Sequence, residues 1–98
     1  MLKITLASDV RVKTAGGEAT FFIPGPDGLV QLGNELGDRW LALPKGTEVT
    51  LVASFEKTDT FLCAVVLRDE DTEGRAFLNG VALRRMAFEK VRSAATEA

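Results

Sequence analysis

The chain opens with Leu2, Ile4 and Leu6 alternating with Lys3, Thr5 and Ala7, and Val10 and Val12 resume the same parity with Arg11 and Lys13 on the other side. Successive side chains of a strand point to opposite faces, so this period of two predicts one bent strand or two, with one face buried. Ala15-Gly16-Gly17 reads as a turn, and Ala19 to Ile23, β-branched and aromatic, as the next strand, closed by Pro24. In Gly25-Pro26-Asp27-Gly28 the proline presets one turn dihedral and glycine tolerates positive φ. Leu29 to Leu32 should therefore return antiparallel as the second arm of a hairpin.

The polar stretch from Gly33 to Arg39 reads as a loop with room for one helical turn, and Trp40 to Leu43 as a short strand. After Pro44-Lys45-Gly46, the residues Val49, Leu51, Ala53 and Phe55 fall on one strand face and Thr50, Val52, Ser54 and Glu56 on the other. Lys57-Thr58-Asp59 turns the chain into Thr60 to Arg68, which is apolar on both faces and so predicts a central strand covered on two sides. Asp69 to Gly74 reads as an acidic turn and Arg75 to Leu78 as the start of another strand. Asn79-Gly80, flanked by apolar pairs, predicts a tight hairpin turn. A competing reading has Asn79 capping a helix whose face carries Leu83, Met86, Ala87, Val91 and Ala94. The reading adopted is turn, strand and short terminal helix, with the chain fraying beyond Ser93.

With 98 residues and 46% hydrophobic content the chain can build one compact core, so a single domain is expected. Its expected parts are N-terminal strands and a hairpin over 1–42, a barrel core over 43–92 and a frayed tail over 93–98. One cysteine allows no internal disulfide, and the N-terminal alternation does not resemble a secretory signal, so a cytoplasmic location is expected. No apolar run reaches membrane-spanning length, and no membrane association is expected. A net charge of -2 argues against a general grip on phosphate backbones, while leaving local contacts open.

The stretch from Leu43 to about Met86 resembles the SH3-like small β-barrel superfamily. Leu43-Pro44-Lys45-Gly46-Thr47-Glu48-Val49-Thr50-Leu51 is similar to the segment in which such domains place a lysine-glycine step before an alternating strand. Asp59-Thr60-Phe61, the apolar strand after it, the acidic turn and Gly74-Arg75-Ala76-Phe77-Leu78 resemble their next hairpin, and Asn79-Gly80-Val81-Ala82-Leu83 their single helical turn into the last strand. The resemblance implies a small antiparallel SH3-like barrel, here with an N-terminal β-hairpin extension and a short C-terminal helix. The peptide-binding members carry a tyrosine-rich motif, a tryptophan opening the central hairpin and a proline before the last turn. This chain has no tyrosine, Phe61 at the hairpin position and Leu78 at the proline position, so proline-rich peptide binding does not carry over.

Candidate chemistry is sparse. Histidine is absent, removing the usual general base and the commonest metal ligand. Asp69, Asp71, Glu73 and Gly74 match the opening of a calcium loop, but the closing glutamate would fall at Gly80, and a solvated acidic hairpin tip accounts better for them. Cys63 sits in an apolar strand, where core packing is favoured over a nucleophilic thiolate. Ser8, Ser54 and Ser93 have no histidine to activate them, and Lys45 and Lys57 lie in turns. No glycine pattern forms a phosphate loop and no cysteine pair offers a zinc site. Neither an enzymatic activity nor a cofactor or metal is expected.

Two candidate contact surfaces remain. Arg84, Arg85, Lys90 and Arg92 concentrate positive charge around Met86 and Phe88, against the plainer reading of a solvated face on a terminal element. Trp40, with Phe21 and Phe22 as possible neighbours, is either an interface anchor or a core residue. The expected binding residues are therefore Trp40, Arg84, Arg85, Phe88, Lys90 and Arg92. The leading expectation is a non-catalytic domain that docks on a protein partner as a small inhibitor, adaptor or assembly factor, with strand pairing to a second copy also open. The alternative is a nucleic-acid-binding barrel that uses the basic C-terminal rim for phosphate and an aromatic for stacking.

Overall fold

A computed structural model of the chain describes residues 2–16, 20–33, 38–69 and 75–95. Among these residues the elements in order are β1 (Leu2–Thr5), β2 (Val10–Lys13), β3 (Thr20–Gly25), β4 (Gly28–Gly33), β5 (Trp40–Leu43), β6 (Glu48–Phe55), β7 (Thr60–Asp69), β8 (Arg75–Arg84) and α1 (Arg85–Ser93). All strand pairs are antiparallel. A four-stranded sheet runs in the order β1-β6-β7-β8, and β2 with β5 and β3 with β4 form two-stranded sheets.

The mainly β, antiparallel fold with one short C-terminal helix is the expected one, but the sheets do not close into a barrel. The reason lies in β7, which is paired on both edges and apolar on both faces. Cys63 and Val65 enter one core with Ile4, Leu6, Val12, Val49, Val81, Leu83, Phe88 and Val91, while Leu62 and Ala64 enter a second with Ala15, Phe21, Ile23, Leu32 and Ala82. A sheet with two apolar faces needs a cover on each. The β2–β5 pair and α1 cover the first face, and the β3–β4 hairpin covers the second.

The hairpin forms at the expected residues, with Gly25 opposite Gly28 and Pro26-Asp27 at the tip. Gly28 takes φ 118°, which L side chains rarely adopt, and a Cβ on Gly25 would lie 2.5 Å from a Val30 methyl, so both glycines are required by geometry. Pro24 does not end β3. It pairs opposite Leu29 in a two-stranded ribbon, where an edge position tolerates a missing N–H.

Other expectations are corrected. The opening alternation makes two strands with different partners, β1 on β6 and β2 on β5. β6 does not keep one apolar face, because the register shifts between Leu51 and Ala53. Val49 and Leu51 therefore serve the first core, Val52 and Ala53 pack on the second, and Phe55 is exposed. Asn79-Gly80 is not a turn: β8 continues through it, with Asn79 opposite Val65 and Gly80 opposite Ala64. Ten consecutive pairings with β7 and the burial of Val81, Ala82 and Leu83 outweigh a local turn preference. Nor does Asn79 cap a helix; α1 begins only at Arg85, after Arg84 in extended backbone. The chain does not fray immediately past Ser93. Ala7 N–H donates to the Ala94 carbonyl at 2.7 Å and Ala95 bridges to Leu6, tying the helix end to the N-terminal segment. The acidic turn proposed for calcium lies mostly outside the described residues, as do Gly17 and residues 34–37 of the predicted loop.

Candidate functional site

β2 and β5 are paired so that Val10, Val12, Leu41 and Leu43 face the core. Parity then sends Arg11, Lys13, Trp40 and Ala42 outward, with Lys13 directly opposite Trp40. Thr14, 2% exposed, fixes this register: its hydroxyl donates to the Arg39 carbonyl and accepts the Arg39 N–H, both at 3.1 Å, while its own N–H donates to the same carbonyl at 2.8 Å. The start of β5, and with it Trp40, is thus held from the end of β2.

α1 lies beside β2. Its sequence places Phe88 and Val91 one turn apart on the buried side, and the Phe88 ring stacks on Phe61 of β7 at 4.6 Å and 6° between planes. Lys90 and Arg92 in its last turn suit the negative end of the helix dipole, while its N-terminus carries no side-chain cap and adds to local positive potential.

Between β2, β5, the end of β8 and α1 lies a groove of about 460 Å³, lined by Arg11, Lys13, Trp40, Arg84, Met86 and Lys90 among others. Trp40 is 55% exposed and Met86 87%. The Arg11 guanidinium stands 5.0 Å from the indole centroid, and Lys90 Nζ donates to the Arg11 carbonyl at 2.7 Å. Arg84 reaches the Thr58 carbonyl at 2.7 Å, and Lys13 lies 3.7 Å from Asp38. Among the described residues of this lining, Asp38 is the one carboxylate against four cations. A second concavity of about 560 Å³, beside Pro44, Lys45, Glu48 and Leu67, has one cation and one carboxylate and no aromatic side chain.

The groove brings together three of the six expected binding residues, Trp40, Arg84 and Lys90. Arg85 is turned away: its Nε and guanidinium NH₂ donate to Asp59 at 2.8 and 2.7 Å, clamping the β6–β7 turn, where Asp59 holds φ 54°. Phe88 is 4% exposed and belongs to the core, so the expectation of a surface contact there is corrected. Arg92 is exposed on the last turn of α1, outside the groove. Phe21 is buried in the second core and Phe22 is exposed on the β3–β4 hairpin, so neither joins Trp40. Sequence reasoning missed Arg11 and Lys13. Alternation marked them as outward-facing, but only the β2–β5 pairing shows what they face.

Cys63 is fully buried, and burial pushes its thiol up from 9.0 to about 12, leaving a side chain that packs. Among the described residues no cluster of three or more metal-ligating side chains occurs, and no helix is long and apolar enough to cross a membrane. Comparison of the chain with protein-family models, with curated proteins and with solved structures finds no match.

Proposed function

We propose that the chain is a non-catalytic protein-binding domain, acting as a small inhibitor, adaptor or assembly factor, and that it docks on its partner through the groove between β2, β5 and α1. The observation that carries this reading is the meeting of two exposed apolar side chains, Trp40 and Met86, with four cations in one concave surface. Tryptophan, methionine and arginine are the residue types enriched where proteins bind proteins, and a recessed tryptophan beside fixed donors is suited to a few strong contacts. A single buried cysteine supports a working place in the reducing cytoplasm.

The test is affinity capture from host lysate at low and moderate salt, with and without nuclease, using the natural chain and a Trp40→Ala/Met86→Ala variant. Both positions are exposed, so the variant keeps its core. The expected result is a protein retained through nuclease and moderate salt, whose affinity falls at least about tenfold in the variant. Recovery of nucleic acid alone, only at low salt, would favour the basic-rim reading instead.

A further inference from the structure

The cations of the groove differ from others in the chain in what holds them. Lys3 lies 3.3 Å from Glu48 and Arg85 2.7 Å from Asp59, so a carboxylate offsets each. In the groove, Lys90 donates to the Arg11 carbonyl and Arg11 rests over the indole ring, while Arg84, which lines the groove, extends its guanidinium to the neutral Thr58 carbonyl of the β6–β7 turn. These contacts fix the positions of the charges without cancelling them. Among the described residues Lys13 alone of these cations has a carboxylate near, at 3.7 Å, with both side chains more than half exposed and the attraction correspondingly weak. Counted over the described residues, a chain with net charge -2 therefore presents one concave surface with an excess of positive charge around a tryptophan.

We propose, resting on the reading of the groove as a protein-docking site, that its occupant is a short acidic segment of the partner. The segment presents carboxylates to Arg11, Arg84 and Lys90 and one apolar side chain to Trp40 and Met86. Charge complementarity selects an anion, and three features select a peptide over a nucleic-acid strand. The groove, at about 460 Å³, has the size of a pocket for a few side chains rather than a track for successive phosphates. Its one aromatic ring already carries Arg11 on a face that a base would stack against. The net negative charge of the chain opposes a long polyanion, whereas a short segment remains within the local positive field.

Trp40 is the only tryptophan and the chain has no tyrosine, so its emission reports on the groove directly. The full chain is titrated with a blocked peptide of aspartate and glutamate around one central leucine, with the same peptide carrying asparagine and glutamine, and with oligothymidylate. The expected result is a saturable change in Trp40 emission with the acidic peptide and affinity at least about tenfold weaker for the amide peptide. Arg84→Gln with Lys90→Gln weakens acidic-peptide binding about tenfold, while Arg85→Gln, which removes a charge already offset by Asp59, changes it by less than about twofold. Lys13→Gln, at an exposed position, weakens it in the same direction and serves if the double variant does not fold.

Equal binding of the amide peptide, an Arg85→Gln effect as large as that of the groove variants, or no response to the acidic peptide would each overturn the inference. If a partner protein is still captured in a manner dependent on Trp40 and Met86, the docking reading survives that loss. Tighter saturation by oligothymidylate than by the acidic peptide overturns both and gives the groove to nucleic acid.

Discussion

Phe88 is the residue on which the position of α1 depends most directly, and replacing it gives a quantitative test of the fold. Its ring is 4% exposed and stacks on Phe61 at 4.6 Å, while Arg85 approaches the Phe61 ring to 5.9 Å. Truncating a buried phenylalanine to alanine costs about 3–5 kcal/mol in lost burial and residual cavity. A domain of this size has a total stability of about 5–15 kcal/mol, so Phe88→Ala should remove a large fraction of it. Leucine separates packing from stacking. Phe88→Leu and Phe61→Leu each retain most of the apolar volume, and a double-mutant cycle should leave a coupling of about 0.5–1.5 kcal/mol, the usual worth of an aromatic pair beyond its buried area. The assay is urea unfolding followed by far-UV circular dichroism, with midpoints and slopes compared across the four proteins. A Phe88→Ala cost below about 1 kcal/mol, or leucine substitutions additive within about 0.3 kcal/mol, would refute the docking of α1 through this pair.

Two further outcomes follow from buried groups. Thr14→Val keeps the shape but removes the hydroxyl that exchanges hydrogen bonds with Arg39, so it should cost about 1–3 kcal/mol in urea unfolding and shift Trp40 emission in the folded state; no change in either would refute the role given to Thr14 in setting β5. Cys63 binds its proton more tightly in the folded chain, with the thiol raised from 9.0 to about 12. The unfolded chain therefore ionises first as pH rises, and the associated stability, intact below pH 9.0, is lost progressively towards about 12. Between about pH 8 and about pH 10 this group should remove on the order of 1 kcal/mol, a loss absent in Cys63→Ala and read from urea midpoints at the two pH values. An identical pH slope in the two proteins would refute it.

Strand parity and hairpin chemistry were legible in the sequence because they are local. The burial of Ile4, Leu6, Val10 and Val12, though not of Leu2, which has the same parity and is exposed, together with the two-faced β7 and the turn at Pro26-Asp27, followed from spacing and turn residues. What failed depended on context. Asn79-Gly80 has a strong turn preference in isolation, but β7 offers an uninterrupted partner and the two cores claim Val81, Ala82 and Leu83 directly after it. The bulge at Val52 in β6 is invisible to a period-two template, since its effect is to change which core the later residues serve. Phe88 was misplaced for a related reason. Its basic neighbours suggested a surface, whereas helical spacing to Val91 turns it inward.

The same division explains why the groove was half visible. Inward Val10 and Val12 force Arg11 and Lys13 outward, and inward Leu41 and Leu43 force Trp40 outward, so the exposure of each residue was fixed within its own strand. Their meeting was not. It requires β2 to choose β5 as its partner, and it requires Lys90, 79 positions along the chain, to reach the Arg11 carbonyl. That bond caps an outward carbonyl on the strand beside the helix, where an unpaired edge would otherwise invite another chain. It also holds an ammonium group beside Arg11 and Trp40. The contact that occupies this edge carbonyl is thus the one that also brings an ammonium group into the groove, so two strands and a helix must be in place before the charge and the indole meet.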